Sequence, residues 1–183
     1  IFLAFILFNL ICLPLTGIVG VRVLPGELTG APLPPYETTA GALGEGSYRV
    51  DALDCSDEWQ TVVVDAQLVR ADEDVSYVVT DEAGAHCDFR FNGQKVELTY
   101  STGPDHGVWA VEIDGEPLID KDTGEPLTVD GYNPTTRYGT RKAFVAPEPG
   151  VHTLSVVNTG EKNARSQGTT VALAQVRVLS PIR

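Results

Sequence analysis

The chain has 183 residues, 43% of them hydrophobic, and a formal net charge of −12. That length holds one ordinary domain with an appendage rather than two full domains, and the apolar share is enough for a packed core. The acidity excludes nucleic acid and anionic lipid surfaces as main partners, because both would repel the chain, and it suits a solvated, self-repelling surface.

Residues 1–21 read IFLAFILFNLICLPLTGIVGV, without a charge and with only Asn9 and Thr16 as polar side chains. As a helix, such a run measures roughly 30 Å, the thickness of a bilayer's hydrocarbon core. Three readings stay open: a membrane span, a signal-peptide core, or a helix packed against copies of itself in a filament. Signal-peptide cores are usually shorter, and neither a basic segment nor a small-residue cleavage site is visible. The run also resembles the leading helix of type IV pilin-like subunits, which implies assembly through that helix. Phe5 stands where those subunits usually carry an acidic residue, and Pro14 would kink a helix.

Residues 24–46 are rich in proline and glycine (Pro25-Gly26, Pro32, Pro34-Pro35, Gly41, Gly44, Gly46). Such a composition makes an extended spacer. The predicted organisation is therefore a hydrophobic helix over 1–23, a linker over 24–46 and a β-rich head over 47–183.

In the head, strands are predicted at 48–50, 59–69 and 75–80, with an acidic turn at 51–58 and polar breaks at 71–74 and 81–84. Trp59-Gln60-Thr61-Val62-Val63-Val64 is β-branched enough for a central strand. Further strands are predicted at 86–91, 94–101, 108–114, 117–119, 127–129, 141–145, 151–157 and 169–179. The clearest stretch is Val96-Glu97-Leu98-Thr99-Tyr100, where apolar and polar residues alternate, followed by Val108 to Ile113 and the turn dipeptide Asp114-Gly115. Many short strands with turn signals between them predict an all-β, jelly-roll-like antiparallel β-sandwich. No helical period stands out in the head, and without crossover helices a parallel α/β fold is excluded.

Of three cysteines, Cys12 lies in the apolar run, so Cys55 and Cys87 are the pair able to bridge in an extracytoplasmic setting. Two separate thiols are the alternative. No Cys-x-x-Cys or Cys/His cluster points to zinc.

Four stretches resemble, in order, the galactose-binding-like β-sandwiches of carbohydrate-binding modules: Phe91-Asn92-Gly93-Gln94-Lys95-Val96-Glu97-Leu98, Gly107 to Asp114-Gly115, Pro149-Gly150-Val151-His152-Thr153-Leu154, and Gly168 to Val178. Folding alone also accounts for these residues, since Asp114-Gly115 suits a tight hairpin and His152, Leu154 and Val156 share one strand face. The resemblance implies a sugar site combining aromatic faces with planar polar groups on loops. The residues that fit are Tyr132, Asn133, Arg137 and Tyr138: tyrosines to stack on sugar rings, Asn133 and Arg137 to hydrogen-bond hydroxyls. A plain surface loop is the competing reading. Trp59 and Trp109 sit inside strand patterns and are expected in the core.

Catalytic signatures are absent: there is no G-x-S-x-G, P-loop, H-E-x-x-H or dinucleotide fingerprint. His86, His106 and His152 fall in different predicted elements and read as separate packing or surface residues. No cofactor is implied. Asp72-Glu73-Asp74 and Asp81-Glu82 lack EF-hand spacing, and Asp120, Asp122 and Asp130 are loop carboxylates with no ligand pattern. The expectation is a non-enzymatic, extracytoplasmic structural or accessory subunit of a membrane-bound or cell-surface assembly. Its partners would be other subunits met through the N-terminal helix, with membrane anchoring and a surface filament as variants. The alternative is a membrane-tethered carbohydrate-binding module that meets glycans.

Overall fold

A computed structural model describes residues 41–179. The predicted N-terminal helix (1–23) and all but the end of the predicted linker (24–46) lie outside the described residues. Among the described residues no helix is long and apolar enough to cross a membrane.

Ten strands form one antiparallel system: β1 (Gly46–Arg49), β2 (Asp54–Cys55), β3 (Gln60–Val64), β4 (Val75–Thr80), β5 (His86–Thr102), β6 (Val108–Ile113), β7 (Glu116–Pro117), β8 (Thr128–Asp130), β9 (Arg137–Asn158) and β10 (Val171–Leu179). The main path runs β3-β4-β10-β5-β9-β6-β7, with β1 on β10, β2 on β5 and β8 on β6. The chain is joined to the sheet before β1, since Leu43 N–H donates to the Arg90 carbonyl and Asn92 N–H to the Leu43 carbonyl. The strand body therefore takes in residues that composition assigns to the linker.

The two long strands organise everything else. Sequence patterning divides them into pairs, 86–91 with 94–101 and 141–145 with 151–157, yet each pair is one continuous strand. Their pairing runs from His86↔Val157 to Thr102↔Arg137, with a register shift between Gly93 and Lys95. Gly93 sits opposite Gly150 just before that shift. A Cβ on Gly93 would lie 3.1 Å from Val178 Cγ1, so a larger residue there would have to push Val178 aside. The Gly and Pro signals in both segments mark a bend in paired strands, not chain reversals.

Beyond the bend, β5 and the first half of β9 join β10, β4, β3 and β1; before it, β5 and the second half of β9 join β6, β2, β7 and β8. The two halves share one core. Val96, Leu98, Phe144, Leu173 and Val176 from the first pack with Phe89, Phe91, Trp109, Val111, Leu154 and Val156 from the second. Trp109 bridges them, with its ring 5.2 Å from Tyr100 and 6.1 Å from Phe144. Burying an aromatic of that size contributes on the order of 3 kcal/mol. Trp59, at 9% exposure, joins the same cluster.

Two local readings are corrected. Residues 66–69, predicted as strand, form the short helix α1 (Ala66–Val69). The Asp65 carboxylate accepts from Gln67 N–H at 2.7 Å, Asp74 Oδ1 accepts from Ala66 N–H at 2.8 Å, and Arg70 ends the turn in the left-handed region at φ 56. These caps outweigh the β-branched composition just upstream. The predicted central strand around Val62 is instead an edge strand, paired among the described residues with β4 alone, which leaves Val62 and Val63 exposed. The hairpin at Asp114-Gly115 is as the dipeptide implies, with positive φ at both residues (57 and 80). Cys55 and Cys87 are opposite each other on β2 and β5 and are joined by a disulfide.

Candidate functional site

A second, smaller apolar cluster lies on the outer face of the β10 half, built from Val64, Tyr77, Ala172 and Ala174 with Val69, Val75, Val79 and Tyr138 beside it. Around it the face is concave. A recess of about 470 Å³ lies on one side of Tyr77, and a second of about 180 Å³ on the other.

Strand register builds the wall of the larger recess. Arg141 is opposite Thr99, Thr99 opposite Gln175, and Gln175 opposite Arg49. Directly opposed residues project from the same side of a sheet. Leu98 and Val176 point into the core, so the four polar side chains form one row across β9, β5, β10 and β1 on the outer face. All four line the recess together with Tyr77 and Ala174. Among the described residues the side chains of Arg141, Thr99 and Gln175 make no hydrogen bond, whereas Arg49 stands 3.7 Å from Glu73 in an exposed ion pair. Pairs of that kind contribute about 0–1 kcal/mol. The acidic run Asp72-Glu73-Asp74 forms the opposing lip. Among the described residues no group of three or more His, Cys, Asp or Glu is placed to hold a metal ion.

The tyrosines at the centre are fixed. Tyr77 is 2% exposed, and its hydroxyl accepts from Gly139 N–H at 3.2 Å. Burial pushes its pKa up, with the Gly139 bond pulling the other way. Tyr138 packs edge-on against Tyr77 with centroids 5.5 Å apart and lines the smaller recess.

The sequence-predicted loop residues are only partly brought to this groove. Tyr138 lies in it, and Arg137 precedes it at the start of β9, opposite Thr102. Tyr132 and Asn133 are held in local loop structure. Tyr132 N–H donates to Asp130 Oδ1, Asn133 N–H to the Gly103 carbonyl, and Asn133 Oδ1 accepts from Thr135 N–H. Tyr132, Asn133 and Arg137 line neither recess. Sequence reasoning missed the polar row, whose members are scattered from Arg49 to Gln175. Only strand register assembles them.

Two of the three histidines pair with carboxylates rather than standing alone. His152 Nδ1 is 2.7 Å from Asp114 Oδ2 and its Nε2 is 2.8 Å from the Glu148 carbonyl, while Asp114 Oδ1 accepts from Thr153 N–H. Both ring nitrogens face acceptors, an arrangement that favours the doubly protonated ring. Burial works against that charge, but the bonds to Asp114 and Glu148 prevail and the His152 pKa is raised. The bond from His152 in turn lowers the pKa of Asp114. His106 is arranged differently: its Nδ1 meets Asp105 Oδ1 at 2.9 Å and its Nε2 meets Ser101 Oγ at 2.7 Å.

No family model matches the sequence, and no curated protein matches it. Among solved structures the chain is similar to a Paenibacillus xanthan lyase, with a TM-score of 0.51 and 15% identity, covering 82% of this chain and 14% of that one. It is also similar to a CBM35 module from Paenibacillus barcinonensis (TM-score 0.43, 15% identity, 74% of this chain and 99% of the module). A β-1,3-glucan-binding CBM6 module from Bacillus halodurans aligns likewise (TM-score 0.45, 12% identity, 76% and 99%). This chain thus spans about one seventh of the xanthan lyase. The likeness is one of fold. The two modules are galactose-binding-like β-sandwiches, the family whose motifs this sequence resembles.

Proposed function

We propose that the head is a jelly-roll-like, glycan-binding β-sandwich module that takes its ligand in the groove on the outer face of the β10 half. The observation that carries this reading is the row Arg141, Thr99 and Gln175, planar or hydroxylic side chains without partners among the described residues, in a recess bounded by Tyr77. Sugar hydroxyls offer the matching donors and acceptors in a plane, and the half-buried ring of Tyr138, packed beside the buried Tyr77, is the aromatic surface open to the apolar face of a pyranose. For the larger recess the reading is recognition without turnover. Tyr138 extends the surface beyond Tyr77, and Tyr132, Asn133 and Arg137 flank its approach and are expected to contribute less.

The apolar run at 1–21 and the Cys55–Cys87 disulfide favour a compatible second reading of where the module works. It would be presented in an oxidising, extracytoplasmic space on a tether, as part of a cell-surface or membrane assembly.

Binding of the full chain on a glycan array, followed by titration of the best ligand, tests the proposal. Arg141→Ala and Gln175→Ala are each expected to weaken binding about tenfold, as loss of a hydrogen bond of 1–1.5 kcal/mol implies. Tyr132→Ala is expected to change it less. No binding by the unaltered chain, or loss on Tyr132→Ala with Arg141→Ala unaffected, refutes the groove.

A further inference from the structure

The smaller recess carries a constellation that the binding reading does not use. Ser101, His106 and Asp105 line it together with Tyr138, Thr136 and Thr170. We propose that these three residues form a nucleophilic serine site that accepts and hydrolyses small acyl esters.

The protonation pattern follows from the contacts. A carboxylate only accepts, so the 2.9 Å contact with Asp105 Oδ1 places a proton on His106 Nδ1. In the neutral ring that leaves a lone pair on Nε2, facing Ser101 Oγ at 2.7 Å. Ser101 therefore donates its hydroxyl proton to His106, the arrangement a general base needs to activate a serine. His152 is the internal contrast, because both of its nitrogens face acceptors and neither faces a hydroxyl that it could activate.

The supporting backbone is specific to this pair. Ser101 sits at the register shift between Tyr100 and Thr102, an irregularity of the kind that re-aims a side chain from its strand. A Cβ on Gly103 would lie 2.7 Å from His106 Nδ1 and 3.1 Å from Asp105 Oδ1, so glycine leaves the room the pair occupies. The 103–107 loop is clamped from several sides. Gly107 N–H donates to the Thr170 carbonyl, Thr170 N–H to the Asp105 carbonyl and Gln167 N–H to the Pro104 carbonyl, while the Ser166 hydroxyl lies 2.7 Å from the His106 carbonyl. A histidine held this way loses little freedom when it acts.

In the reaction, Ser101 Oγ bonds to the ester carbonyl carbon as its proton passes to His106 Nε2, and the Asp105 carboxylate stabilises the resulting imidazolium. Tyr138, Thr136 and Thr170 line the recess and their hydroxyls donate no hydrogen bond among the described residues, so they are the candidate donors for the oxyanion. Collapse breaks the ester C–O bond, and the departing alkoxide takes the proton from His106. Water, deprotonated by the same nitrogen, then cleaves the acyl-serine to a carboxylic acid and restores Ser101.

Diisopropyl fluorophosphate tests the site on the full chain. The expected result is one diisopropylphosphoryl group per chain, with loss of fluoride, mapped by mass spectrometry to Ser101. Ser101→Ala should take none, and Asp105→Asn should slow labelling roughly a hundredfold while keeping the melting temperature, since Asp105 is exposed. Should Ser101→Ala fail to fold, Asp105→Asn alone decides. An unlabelled wild-type chain, a label on another residue, or a labelling rate unchanged by Asp105→Asn overturns the proposal, and each leaves the glycan groove untouched.

Discussion

Asp114→Asn isolates the charge that fastens the β6–β7 hairpin to the bend of β9. The left-handed backbone at Asp114 (φ 57) tolerates asparagine, so the substitution changes charge with little change in shape. Asp114 now accepts from His152 at 2.7 Å and from Thr153 N–H at 2.8 Å. A hydrogen bond to a charged group contributes about 1.5–3 kcal/mol, and asparagine, with one acceptor oxygen, retains a neutral version of only one of the two while its NH2 faces the other donor. The side chain of Asp114 is 50% exposed, so solvent screening trims the expected loss to about 1–2 kcal/mol. Its pH dependence has a definite sign. His152, raised from 6.5, contributes stability that is complete below that value and is lost as pH climbs through its folded pKa. Asp114, lowered from 3.8, contributes stability present above that value and lost as pH falls through its folded pKa. The pair is therefore worth most between pH 3.8 and 6.5. At alkaline pH one bare ring nitrogen faces either Asp114 or the Glu148 carbonyl, and the advantage of the wild type shrinks. Urea denaturation of both proteins at pH 5.5 and pH 8.5 measures this. A stability gap of the same size at both pH values would refute the cationic assignment of His152.

Two further outcomes follow from the packing. Gly93→Val should destabilise the fold by about 1–3 kcal/mol in thermal or chemical denaturation, because even its Cβ would press on Val178 Cγ1 at 3.1 Å. Replacing Cys55 and Cys87 together by serine frees a loop set by their sequence separation of 32, and chain entropy alone puts the cost at about 3.5–4 kcal/mol. A reducing agent should lower the melting temperature of the wild type and leave that of the double variant unchanged.

Much of the strand content was legible because one face of each strand is buried. Val96, Leu98 and Tyr100 alternate with Glu97 and Thr99 in the sequence, and the first three are core residues. The Asp114-Gly115 turn was equally plain, since only a few residue types accept positive φ. The bend was not. Strands were predicted to break between 91 and 94 and between 145 and 151, and only the partner strand shows that the ladder continues past Gly93 and Gly150. Helix α1 escaped notice because its strongest signal, Asp65 as a cap supported by Asp74, depends on a carboxylate brought back from beyond the helix. Among the residues that line the proposed groove, Tyr138 had been singled out for its ring and loop position. Arg141 and Gln175 were not, because a surface row is a product of register rather than of local composition. Asp114 and His152 are 38 positions apart and leave no local signature. Ser101, Gly103, Asp105 and His106 lie within six residues, and that grouping was available to a reader looking for a nucleophile beside a base.

The most direct measurement of the central claim is amide chemical-shift mapping of the full chain with a glycan selected on the array. The account predicts saturable shifts at Thr99, Gly139, Arg141 and Gln175, with Tyr132 and Asn133 moving less. Shifts confined to the 132–137 loop, with the β5–β10 face unchanged, would contradict it.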